Sequence, residues 1–294
     1  MGFIRARRAR LAGACLALPV LWGHAPGLRA QPEASAAVHW AYSSYFGTGR
    51  YTVDGTESVY VLSARPSWRL RDAELGEEGR ALGIRLRLPI AIGAHDFDVA
   101  DVGGTLAGDN VSTFSATPGV ELDVPINARW SIKPLVYAGW GAEIDGDASA
   151  WIYWGGAKSV GRFHAASFDW SLVNGLTYVG YSDDASERGS LLAALIGFDF
   201  EHPLATKRIN GYPVHLHWHV SHVDYFNEVE IKPRGVRDVV RIEDEWEIGA
   251  AFSTGDHRLG VRKLRWDRVG LAYRFSSDGD LTGVALTFSS LFDR

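Results

Sequence analysis

Ile84-Arg85-Leu86-Arg87-Leu88-Pro89-Ile90-Ala91-Ile92 changes character at every second residue. Successive side chains of an extended strand point to opposite faces. Ile84, Leu86, Leu88, Ile90 and Ile92 therefore share one face, and Arg85 and Arg87 take the other. The same period recurs along the chain. Val120-Glu121-Leu122-Asp123-Val124 repeats it with acids, and His215-Leu216-His217-Trp218-His219-Val220 repeats it with histidines. Ile242, Trp246, Ile248 and Ala250 oppose Glu243, Glu245, Glu247 and Gly249. Val269, Leu271, Tyr273 and Phe275 oppose Gly270, Ala272 and Arg274.

Working outward, this period predicts about twelve strands. Their cores fall at 38–47, 58–70, 81–93, 113–125, 130–143, 149–162, 168–181, 190–201, 212–223, 240–253, 267–276 and 281–292. Turn-forming residues separate them, as at Asp54-Gly55, Asp145-Gly146-Asp147 and Ser277-Asp278-Gly279-Asp280. A soluble sandwich and a membrane barrel both fit such a series. The composition of the faces favours the barrel. One face is rich in Leu, Ile, Val and aromatics, as lipid demands. The other carries Gly, Ala, Ser, Arg, Glu and His, which suits a lumen. Trp40, Trp130, Trp140, Trp151, Trp154 and Trp170 lie toward segment ends, where interfacial girdles form. The expected fold is an all-β, transmembrane, antiparallel up-and-down barrel of about 12 strands.

The first thirty residues read differently. Arg5, Arg7, Arg8 and Arg10 precede a short apolar run, Leu11 to Trp22, and Leu28-Arg29-Ala30 suits cleavage. Residues 1–30 are expected to be a secretory signal peptide and 31–294 the barrel. Twelve apolar residues are too few to span a bilayer as a helix. Without 1–30 the chain keeps 25 basic and 35 acidic residues, a net charge of −10, which excludes nucleic-acid binding by overall charge. It also loses its only cysteine, Cys15, so no disulfide framework or multi-cysteine metal site exists.

A signal peptide, twelve strands and no other domain resemble the solitary outer-membrane autotransporter-like β-barrels of Gram-negative bacteria. Trp130-Ser131-Ile132-Lys133-Pro134-Leu135-Val136-Tyr137-Ala138-Gly139-Trp140-Gly141-Ala142 is similar in style to the Lys-Pro strand of autotransporter translocator barrels. The resemblance covers roughly 38–294. Only about seven residues, Gln31 to Ala37, precede the first expected strand, leaving no room for a passenger. Gly283-Val284-Ala285-Leu286-Thr287-Phe288 fits the closing strand that barrel-assembly machinery reads. Asp293 and Arg294 follow Phe292, whereas the usual ending is a terminal Phe.

The inward-facing charges are the candidate functional residues. Arg65, Arg69, Arg85 and Arg87 are expected to meet Glu121 and Asp123 across neighbouring strands, because an isolated charge in a narrow lumen is costly to desolvate. His215, His217 and His219 are expected to face Glu243, Glu245 and Glu247 on the next strand. The histidines can serve either as a buried His–Glu network or as metal ligands. Their Cα atoms lie roughly 6.5–7 Å apart, so one metal reaches two of them and needs a third ligand from a neighbour. The paired network is the expected reading, and neither metal nor cofactor is assigned.

A catalytic reading needs a nucleophile, a base and an orienter. Outer-membrane phospholipases also have about twelve strands, with a Ser–His pair on the outer wall. His222 has the lipid-facing parity but lacks a Ser-His-Asn motif around it. His95, Asp96, Asp98 and Asp101 imitate the loop-borne acids of barrel proteases, although acidic loops are mostly just solvated. The expectation is therefore a non-enzymatic outer-membrane barrel in contact with lipid, either a narrow pore for ions and small solutes or a structural barrel. An outer-membrane hydrolase is the alternative. The small inward residues Ala91, Gly197, Gly249, Gly270 and Ala272 are expected to leave a gap through the lumen.

Overall fold

In the computed structural model the chain is described at residues 47–53, 57–76, 79–95, 111–144, 149–165, 168–183, 188–231, 240–255, 259–261, 264–266 and 268–288. All of these lie in the unit Ser35–Arg294. The described residues contain no helix.

The wall begins at Gly49–Val53 (β1). Glu57–Ala64 (β2) and Ser67–Arg71 (β3) form the second stave, broken at Arg65-Pro66. Glu74–Gly76 (β4) and Gly79–Ala81 (β5) make a small hairpin outside the main sheet. Gly83–Arg87 (β6) and Ile90–His95 (β7) form the third stave, broken at Leu88-Pro89. Val111–Ala116 (β8) and Gly119–Pro125 (β9) form the fourth, broken at Thr117-Pro118. Six long strands follow: Trp130–Glu143 (β10), Ser149–Ala165 (β11), Phe168–Asp183 (β12), Arg188–Ile209 (β13), Tyr212–Ile231 (β14) and Val240–Ser253 (β15). Leu259–Val261 (β16) and Leu264–Trp266 (β17) form a second small hairpin. Val269–Phe275 (β18) and Leu281–Thr287 (β19) complete the set.

Every stave pairs antiparallel with its sequence neighbours, and β19 pairs with β1, as in Tyr51↔Gly283. The described wall is a closed, twelve-stave, up-and-down antiparallel barrel. Closure pairs the backbone groups of the wall with one another, which a bilayer core requires.

Some boundaries differ from the sequence reading. The expected first strand, 38–47, lies almost wholly outside the described residues, and Gly49–Val53 fills the place between β19 and β2. Three expected strands are each split by a proline, which has no N–H for the ladder. Their carbonyls still accept across the breaks: Leu88 N donates to Pro66 O at 3.0 Å, Thr117 N to Pro89 O at 2.9 Å, and Ala138 N to Pro118 O at 3.1 Å. β13 and β14 run 22 and 20 residues, well beyond the expected 190–201 and 212–223. Their hairpin turns at Asn210-Gly211, with φ of 52° and 86°. Two positive φ values are the mark of a tight primed turn, whose twist matches that of long strands.

The faces follow the alternation. Leu62, Leu86, Val136, Trp151, Leu176 and Trp218 are among the large apolar side chains exposed on the outside. Inside, Tyr51, Ile152, Val179, Tyr181, Leu191 and Ile242 pack in one apolar cluster. All six lie near the same end of the wall, opposite the Asn210-Gly211 turn. This cluster occupies one end of the lumen, and charged side chains border it toward the hairpin end.

Candidate functional site

Among the described residues the charged side chains of the lumen form three groups. The first centres on Glu121, in β9, which is 3% exposed. Arg87 Nη2 lies 3.2 Å and Arg85 Nη1 3.8 Å from its Oε1, and Lys158 Nζ reaches Oε2 at 3.3 Å. Arg85 and Arg87 come from β6 and Lys158 from β11, so one carboxylate ties three staves together. Lys133 is fully buried and meets Asp123 at 3.3 Å. A buried carboxylate with one cation must still satisfy its remaining lone pairs, and converging donors do that.

The second group centres on Arg274 in β18. Its Nε lies 2.5 Å from Glu247 Oε2, and its Nη1 lies 3.3 Å from Glu245 Oε1 and 3.3 Å from the Tyr51 hydroxyl. His219 Nε2 reaches Glu247 Oε1 at 2.8 Å. The Tyr225 hydroxyl lies 3.5 Å from Glu245 Oε2.

The third group lies on β13, β14 and β15 at the hairpin end, together with Arg268 just before β18. Arg268 Nη1 and Nη2 hold the two oxygens of Asp199 at 3.0 and 3.2 Å. His217 Nδ1 is 3.2 Å from Asp199 Oδ2, and its Nε2 is 2.8 Å from Ser253 Oγ. His215 Nδ1 lies 2.7 Å from Glu201 Oε1.

The structure thus brings Arg85, Arg87 and Glu121 into one cluster, with Asp123 beside it, and His219, Glu245 and Glu247 into another. It corrects three expectations. Glu243 is exposed, because the β14–β15 register shifts between Asp224 and Val229 and the alternation breaks after Ile242. Arg69 is exposed in β3 and pairs at 2.9 Å with exposed Asp72. His215 and His217 take carboxylates from β13, not β15. Directly across on β15 they meet Ser253 and Ala251. A Cβ at Gly249 would come within 2.3 Å of the His219 ring, which fills that space.

Sequence reasoning missed Asp199, Ser253, Arg268, Lys133 and Lys158. Asp199 shares its inward parity with Gly197 and Glu201, a signal that alternation alone supplies. Arg268 precedes β18 and lies outside the alternation. His222 lies 3.8 Å from Asp244, with its ring against Trp246. Asp96, Asp98 and Asp101 fall outside the described residues, and His95 ends β7. Among the described residues no group of three or more His, Cys, Asp or Glu could hold a metal ion.

No family model matches the chain, and no curated sequence does. Solved structures do. The β domain of the Bordetella autotransporter BrkA is similar at 12% identity over 81% of this chain and 92% of that one, with a TM-score of 0.49. The translocator domain of NalP from Neisseria meningitidis is similar at 13% identity, over 81% and 82%, with a TM-score of 0.46. The transport unit of AIDA-I from Escherichia coli is similar at 12% identity, over 82% and 88%, also with a TM-score of 0.46. These structural neighbours are autotransporter barrels.

Proposed function

We propose that this chain is an outer-membrane barrel whose lumen is closed to oligosaccharide-sized solutes, a structural barrel with an ion-scale passage at most. The apolar layer carries this reading. Ile152, Tyr181 and Ile242 are each 1% exposed inside the wall and belong to one buried cluster, which borders the charged belt through Tyr51 and Tyr225. Hydrophobic constrictions exclude water and thereby ions. The outward apolar side chains support a bilayer setting. The closing strand β19 is the element that assembly machinery would engage.

Conductance of the refolded full-length chain in a planar bilayer tests the proposal. Native protein should give no steady porin-like current. Ile152→Ala with Tyr181→Ala should open a small, steady one, with heat-modifiable gel mobility verifying the barrel in both. A large current from the native protein overturns the closed lumen.

A further inference from the structure

Asp199, His217 and Ser253 stand on three adjacent strands, each facing the lumen. Their order runs diagonally across the sheet. His217 faces Glu201 directly on β13 and Ala251 on β15, and both of its partners sit one inward position away. The carboxylate lies 3.2 Å from Nδ1 and the hydroxyl 2.8 Å from Nε2. A carboxylate at Nδ1 holds the proton on that nitrogen, which leaves Nε2 free to accept the serine proton. Exposures of Asp199, His217 and Ser253 are 5%, 3% and 5%, so the relay is shielded from bulk water. Arg268 grips both oxygens of Asp199 and fixes the carboxylate plane. The Gly255 amide donates to Ser253 Oγ at 3.4 Å, which puts a backbone donor beside the nucleophile.

From this geometry we propose that Ser253, His217 and Asp199 form an acyl-transfer site that hydrolyses short-chain, water-soluble carboxylic esters. Ser253 Oγ attacks the ester carbonyl carbon while its proton passes to His217 Nε2. The tetrahedral intermediate expels the alkoxide, which takes that proton and leaves as alcohol. Water then repeats the attack on acyl-Ser253, again through His217, and releases the carboxylic acid. Strand parity selects the substrate class. Ser253 points inward, while its neighbour Phe252 is 48% exposed on the outer face. An ester embedded in the bilayer meets Phe252 and cannot reach Oγ. His215 stands directly opposite Ser253 on β14, with Glu201 on His215 and Arg268 on Asp199, so the charged groups next to the site suit a short, polar ester.

The test uses refolded full-length chain in detergent, with p-nitrophenyl acetate, p-nitrophenyl palmitate and a fluorophosphonate label as probes. Acetate turnover should fall about 100-fold or more in Ser253→Ala and in His217→Gln. The label should map to Ser253. Ser221→Ala, which removes another buried lumenal hydroxyl, should keep both turnover and label. Heat-modifiable mobility of each variant verifies that the wall has formed. Ser253→Ala deletes only a hydroxyl, so the comparison survives even if His217→Gln fails to fold. Equal turnover in native protein and Ser253→Ala overturns the proposal, as does a label on another residue, preference for palmitate, or no reaction by a folded native barrel. Conductance plays no part in these readouts, so the closed-lumen proposal stands or falls separately.

Discussion

Ile152 and Glu121 are equally hidden inside the wall, at 1% and 3% exposure, yet different forces hold them. Ile152 belongs to a layer whose attraction is non-directional and scales with the apolar area removed from water. Any neighbour of the right volume serves it. Glu121 gains nothing from burial as such. Its place depends on Arg85, Arg87 and Lys158 arriving with correct geometry. The apolar layer therefore tolerates conservative change. The charged belt fixes which staves meet and tolerates little.

Removing the charge at the centre of the belt should break this comparison most visibly. Glu121→Gln keeps the shape and leaves three cations without their shared carboxylate. Loss of one partner of a buried ion pair costs about 3–5 kcal/mol. The urea midpoint of the gel-mobility shift should fall accordingly. In the layer, Ile152→Ala should cost about 2–4 kcal/mol by the same measurement, through lost contacts and the cavity left behind. A Glu121 variant less damaging than the Ile152 one would show that the belt is dispensable. Turning the comparison outward, Leu86→Arg places a charge on the outer face and, with that face in lipid as proposed, should cost about 2–4 kcal/mol near mid-bilayer. Ala91→Ser, on the inward parity, should cost far less, and equal losses would reverse the assignment of faces. The smallest effect belongs to Arg69→Ala. Its partner Asp72 is exposed, and a surface pair contributes about 0–1 kcal/mol, so the midpoint should barely move. A loss as large as that of Glu121→Gln would return Arg69 to the buried belt.

Alternation made most of this arrangement legible. Arg85, Arg87, Glu121 and Asp123 were assigned to the inner face because each lies between apolar neighbours in a strict period of two. Parity, however, carries no register. It showed that His217 faces inward but not that its carboxylate would come from β13, since the diagonal depends on stagger between strands. Glu243 failed for a related reason. The irregular pairing after Asp224 is set by how β14 and β15 meet, and nothing in the local pattern of β15 announces it. The ends of β13 and β14 were also illegible. After Glu201 the run His202-Pro203-Leu204 loses the alternation, and the Asn210-Gly211 turn carries the hairpin onward instead.

The three prolines give the wall a crease. Pro66, Pro89 and Pro118 sit on three consecutive staves, each passing a carbonyl to the next, so a single oblique line crosses the sheet with its rungs reduced but unbroken. In mechanical terms a tube with such a line bends there first. Curvature gathered along it need not be spread over the rest of the circumference. The strands on the other side are then free to run long, and β13 does so for 22 residues.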